Sequence, residues 1–174
     1  MSKHIEIKDV FDKNIEKISF IELCKDENTG NSMITSKQTS YKFDDICQDI
    51  KTSDTVFFFK DRIDFIEFKD VNSKKFTGKN KREFIRQLRL KVIETYITFY
   101  NYINYNSLNM SKDDVSDLTL NYYFVFNKDE FKTSPTLLNA FSAEQIKWTK
   151  HYSKFFNIIS FLDHELFLKK FKIK

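Results

Sequence analysis

A chain of 174 residues with 41% hydrophobic and 17% aromatic side chains can build a sizeable core, and 31% charged residues supply a solvated surface. One domain over residues 1–174 is therefore expected. No apolar run approaches the roughly 20 residues of a membrane-spanning helix, and a net charge of +4 is too mild to mark a nucleic-acid binder by itself. Cys24 and Cys47 lack metal-ligand spacing, so two free thiols are preferred over one disulfide. The opening M-S-K-H-I-E-I-K-D has acids and no apolar signal core, and a cytoplasmic protein is predicted.

Residues 8–25 carry Val10, Phe11, Ile15, Ile18, Ile21 and Leu23 at approximately helical spacing, which predicts an amphipathic helix. Asp26 to Ser40 is polar and rich in turn residues and reads as a loop. Tyr41 to Ile50 fits either a strand followed by a turn or a short helix. Its Asp44, Asp45 and Asp49 read first as an acidic turn before a strand and second as metal ligands.

The stretch from Asp54 to Lys69 holds two short apolar runs, Thr55 to Phe59 and Ile63 to Phe68, around the polar trio Lys60, Asp61 and Arg62. That is a hairpin pattern built from strand-forming residues. Glu67 and Lys69 are two apart and share a face, about 7 Å from one another along the strand. Register decides what Asp54 meets. A two-residue turn at Lys60–Asp61 sets it opposite Glu67, one at Asp61–Arg62 sets it opposite Lys69, and a three-residue turn moves it to the Phe68 face. In either two-residue register the three side chains share one face. Two carboxylates that close suit a hard divalent cation, and a neighbouring lysine suits charge developing on a phosphate.

Residues 74–91 carry eight basic side chains against the single acid Glu83, and all four arginines of the chain lie between positions 62 and 89. A long helix is predicted from Asn80 to Tyr102 or Ile103, with Phe84, Leu88, Val92, Thr95, Phe99 and Ile103 as its buried stripe. Arg82, Arg86 and Arg89 fall on another face. With Lys75 and Lys81 they are the candidate phosphate contacts, and a solvated helix face is the plain alternative. Ser107 to Asp117 reads as a connector and Leu118 to Phe126 as a strand. Hairpin, helix and strand in that order predict an α/β core with a small mixed central sheet flanked by helices.

Thr133, Ser134 and Pro135 open a further helical stretch, and Ser142 with Gln145 reads as a second helix start. Trp148, His151, Tyr152, Phe155, Phe156 and Ile159 continue at helical spacing and read as core or a partner surface. His151 and His164 have no ligand-spaced partners and are assigned structural roles. The tail L-F-L-K-K-F-K-I-K is basic and amphipathic.

An acid at the start of one strand, then Glu-x-Lys at the end of the next after an apolar run, resembles the PD-(D/E)xK nuclease superfamily. The matching residues are Asp54, Glu67 and Lys69, with Ser53 where the motif has proline, and the resemblance covers about residues 54–126. It implies a restriction-endonuclease-like core and hydrolysis of phosphodiesters with Mg²⁺ or Mn²⁺, DNA being favoured over RNA. It makes Asp54 and Glu67 metal ligands and Lys69 the residue that orients water. A polar residue of the following helix often faces such a centre. Gln87 resembles it, with Lys91 as second choice, although members with Gln followed four later by Tyr differ here at Lys91. An additional acid on the first helix would be Glu16 or Glu22. The alternative is a non-catalytic nuclease-like protein that binds nucleic acid or a protein partner. A homodimer or a larger assembly is the partner class left open.

Overall fold

The hairpin predicted over Asp54 to Lys69 supplies the two middle strands of the sheet. The computed structural model describes residues 3–26, 30–47, 49–69, 78–129 and 135–174, with side chains of the last segment from residue 138. Strands β3 (Thr55–Phe58) and β4 (Ile63–Lys69) pair antiparallel, with Thr55 opposite Ile66 and Phe58 opposite Ile63. The Phe59 N–H donates to the Arg62 carbonyl at 2.9 Å, so Lys60 and Asp61 form the two-residue turn. Continuing that register one step sets Asp54 opposite Glu67, the first of the three arrangements compatible with the sequence.

The segment ahead of the hairpin differs from the one long helix expected over 8–25. Helix α1 (Lys3–Asn14) ends early, strand β1 (Lys17–Ser19) follows, and a short α2 (Phe20–Leu23) begins immediately. Ser19 starts the second helix. Its hydroxyl accepts from the Glu22 N–H while the Glu22 carboxylate accepts from the Ser19 N–H, a reciprocal cap that starts a new helix. Tyr41 to Ile50 resolves as strand then turn: β2 (Thr39–Lys42) runs into a single 3₁₀ turn, Phe43–Ile46.

Helix α3 (Gly78–Tyr105) buries Leu88, Val92, Thr95, Thr98, Phe99 and Ile103, close to the predicted stripe. A short α4 (Lys112–Ser116), capped by Ser111, occupies the predicted connector, and β5 (Leu120–Phe126) follows. Helix α5 (Pro135–His151) runs unbroken through Ser142. The second start expected there does not occur, because the Ser142 hydroxyl donates back to the Leu138 carbonyl and Gln145 accepts from the Phe161 N–H at 2.7 Å. The predicted opening at Thr133 and Ser134 lies outside the described residues. The aromatic run after Trp148 leaves the helix at His151. Phe155 and Phe156 sit in the turn, and Ile159 lies on strand β6 (Ile158–Asp163), ahead of α6 (His164–Phe171).

The six strands form one mixed sheet in the order β1-β2-β3-β4-β5-β6, antiparallel from β1 to β4 and parallel from β4 to β6. Helices α3 and α5 make the two parallel crossovers, as parallel neighbours require. On one face Ile7 and Phe11 of α1, Val92 and Phe99 of α3, and Trp148 of α5 pack on Val56, Phe65, Tyr122 and Phe124. On the other, Phe20 of α2 and Phe167 of α6 pack on Ile66, Phe68, Tyr123 and Val125. Strands β4 and β5 are covered on both sides, which accounts for their nearly continuous apolar sequence. Glu67 is a conspicuous exception. Among the described residues no helix is long and apolar enough to cross a membrane.

Candidate active site

Period-two alternation along β4 puts Glu67 on the Phe65 face, toward α3, at 1% exposure. Asp54 is held from three directions. Its N–H donates to the Ile66 carbonyl at 3.0 Å, its carbonyl accepts from the Phe43 N–H at 3.1 Å, and its Oδ2 accepts from the Phe68 N–H at 2.6 Å. The preceding residue is pinned to the helix, because the Ser53 N–H donates to the Thr95 hydroxyl on α3 at 2.8 Å.

The side chain that joins these carboxylates is Lys91. Its Nζ lies 2.6 and 2.8 Å from the two oxygens of Glu67 and 3.7 Å from Asp54 Oδ1. Gln87, the first choice for the helix position, is instead bonded back to Glu83 at 2.7 Å. The two residues are one turn apart, and it is the later turn of α3 that passes over Glu67. In the sequence Lys91 stands on the flank of the apolar stripe, one turn after Gln87, which makes it the second choice for that position.

Lys69, on the same face of β4, is exposed where the site opens. The opening is a cleft of about 710 Å³ whose walls include Asp44, Asp54, Glu67, Lys69 and Lys91 on one side and Glu22 and Cys24 on the other. Of the predicted acids, Asp44 reaches the cleft from the 3₁₀ turn. Asp45 pairs with Lys42 at 2.9 Å. Glu22 lines the rim but is occupied as a helix cap, and Glu16 and Asp49 are exposed.

Burial, and next the neighbouring Asp54 charge, push the Glu67 carboxyl up to about 8, against the pull of Lys91. Burial raises Asp54 as well, opposed by Lys91 and by the Phe68 N–H. Asp44 is pushed up to about 6 by burial and then by Asp54. For Lys91 burial works against the ammonium, but Glu67 and Asp54 outweigh it and keep its pKa above the usual lysine value. The result is a charged lysine shared by two reluctant carboxylates. Perturbed groups of this kind in a cleft are a recognised mark of functional sites.

Asp54 and Glu67 both line the cleft and both lie within 3.7 Å of the Lys91 Nζ, and carboxylate oxygens are donors of the kind a hard divalent cation takes. Among the described residues, no three His, Cys, Asp or Glu side chains come together as a metal-binding group. Arg82, Arg86 and Arg89 lie on the exposed side of α3 rather than in this cleft. Arg86 pairs with Glu83 at 2.6 Å and Arg89 approaches the Tyr152 hydroxyl at 3.4 Å. Lys81 is half-buried near the start of α3, and Lys75 lies outside the described residues. Comparison with protein-family models, with characterised proteins and with solved structures finds no match.

Proposed function

We propose that this chain is a metal-dependent nuclease of the PD-(D/E)xK type that hydrolyses phosphodiester bonds, with DNA the favoured substrate. The observation that carries the reading is the pairing of Asp54 with Glu67 on the cleft face of a hairpin, with Lys69 next on the same face at the mouth. The strand order, with the hairpin followed by a helix and a parallel strand, is the order the resemblance implies. Asp54 and Glu67 would hold Mg²⁺ or Mn²⁺, which when bound would lower the pKa of a water and offset charge on the scissile phosphate. Lys69, exposed at the mouth, would orient the attacking water and meet negative charge developing on the phosphate. Phe68 keeps Asp54 fixed in orientation through its N–H, and Thr95 holds the backbone ahead of it. The exposed arginines of α3 would take the backbone of a longer substrate beyond the cleft. A cytoplasmic setting is implied, and the unbridged Cys24 and Cys47 agree with it.

Purified protein incubated with Mg²⁺ or Mn²⁺ and with DNA or RNA tests the reading. Cleavage that disappears in both Glu67→Gln and Lys69→Met supports it. No cleavage of either polymer, or activity that survives both substitutions, refutes it. One observation favours a second reading, a non-catalytic protein that binds nucleic acid or a protein partner: Lys91 already satisfies Glu67, as in a purely structural ion pair. Salt-dependent nucleic-acid binding without metal-stimulated cleavage would select that alternative.

A further inference from the structure

We infer that Lys91 is a resident counter-cation that keeps the Asp54–Glu67 pair closed to a divalent ion until a phosphodiester takes over its ammonium. The inference rests on the nuclease reading and adds a regulatory step to the same site.

Three of the four carboxylate oxygens are already engaged by donors of the chain. Lys91 spans both oxygens of Glu67 at 2.6 and 2.8 Å, and the Phe68 N–H takes Asp54 Oδ2 at 2.6 Å. The remaining oxygen, Asp54 Oδ1, faces Lys91 at 3.7 Å. Oxygen ligands to Mg²⁺ or Ca²⁺ sit about 2.0–2.6 Å from the ion, so the ammonium occupies the space from which both carboxylates would be reached. An ion arriving there alone meets a like charge a few ångströms away in a partly desolvated site. Lys91 is long and unbranched and is 19% exposed toward the cleft, so its ammonium can swing to an anion entering beside it. A phosphodiester brings the negative charge that gives Lys91 a new partner and leaves the carboxylates to the ion. Lys69 plays no such part, because it stands at the mouth rather than between the carboxylates.

Calorimetric titration of the full chain with MnCl₂, with and without a short phosphorothioate oligodeoxynucleotide, tests this. The wild-type chain should bind Mn²⁺ at least about tenfold more tightly when the oligonucleotide is present. Lys91→Met, checked for folding by circular dichroism, should bind Mn²⁺ alone at least about tenfold more tightly than wild type and gain little from the oligonucleotide. A folded Lys91→Met or Lys91→Gln chain that binds Mn²⁺ no better than wild type overturns the inference. So does a wild-type affinity that is the same with and without the oligonucleotide, a comparison that needs no variant. If either result comes with metal-dependent DNA cleavage by wild type, the nuclease reading stands and only the role of Lys91 falls. If no chain binds Mn²⁺ in either condition and none cleaves, both fall together.

Discussion

Replacing Glu67 by glutamine should make the protein more stable above neutral pH while removing its cleavage activity. The side chain is 1% exposed, and burial with the Asp54 charge pushes its carboxyl from 4.5 up to about 8. An acid whose folded pKa is raised contributes stability that is fully present below its unfolded value and is lost as pH rises through the folded one. At about pH 5 the native Glu67 is protonated and a glutamine is nearly equivalent to it. Each further pH unit costs the wild type at most about 1.4 kcal/mol for one proton. The proton is shared with Asp54 and Lys91, so about 2 kcal/mol by pH 8 to 9 is the expected difference. For a chain of this size that amounts to roughly 4–8 °C in melting temperature. Thermal melts of both proteins across pH 5 to 9 should therefore start together and separate, with the wild type falling more steeply than Glu67→Gln, in which, of the cleft acids, only Asp54 and Asp44 remain raised. Parallel profiles, or a variant less stable at pH 8 by more than about 1 kcal/mol, would refute the claim that Glu67 is an ionised group held at a cost.

Lys69→Met should leave urea stability within about 0.5 kcal/mol, because the side chain is exposed, while abolishing Mg²⁺-dependent cleavage. Thr95→Val removes the acceptor of the buried Ser53 N–H and should cost about 1–3 kcal/mol in a urea melt. Changing Arg82, Arg86 and Arg89 together to glutamine should weaken binding to long duplex DNA and flatten its log K against log salt slope, by about 0.9 for each phosphate that is no longer neutralised. Cleavage of an oligonucleotide short enough to fill only the cleft should change much less. Phe65→Ala, in the core between α3 and the sheet, should cost about 3–5 kcal/mol in the same urea assay.

The elements legible in advance were those whose evidence is local. The hairpin, the long α3 helix and the β5 strand each announce themselves by periodicity within their own residues. Over 8–25 the helical spacing predicts one helix, but the chain enters β1, whose pairing partner Tyr41 lies 24 residues beyond Lys17 and leaves no local signature. At Ser142 the opposite occurred: a sequence that could start a helix was overridden because the flanking turns already shared one, and its hydroxyl turned to the Leu138 carbonyl.

For the site, the alternation along β4 and the limited choice of turn lengths made Asp54, Glu67 and Lys69 candidates to share one face. Both are backbone properties, set by strand geometry before any packing occurs. Which turn closes the hairpin, and which helical residue meets the pair, were decided only by the fold. Lys91 is 24 residues from Glu67 in sequence, and its reach depends on how α3 crosses the sheet, which is set by Leu88, Val92 and Phe99 packing on Phe65 and Phe124. Side-chain packing over that distance has no local signature. Thus the sequence determined which acids could meet, and the tertiary structure decided that a lysine would stand between them.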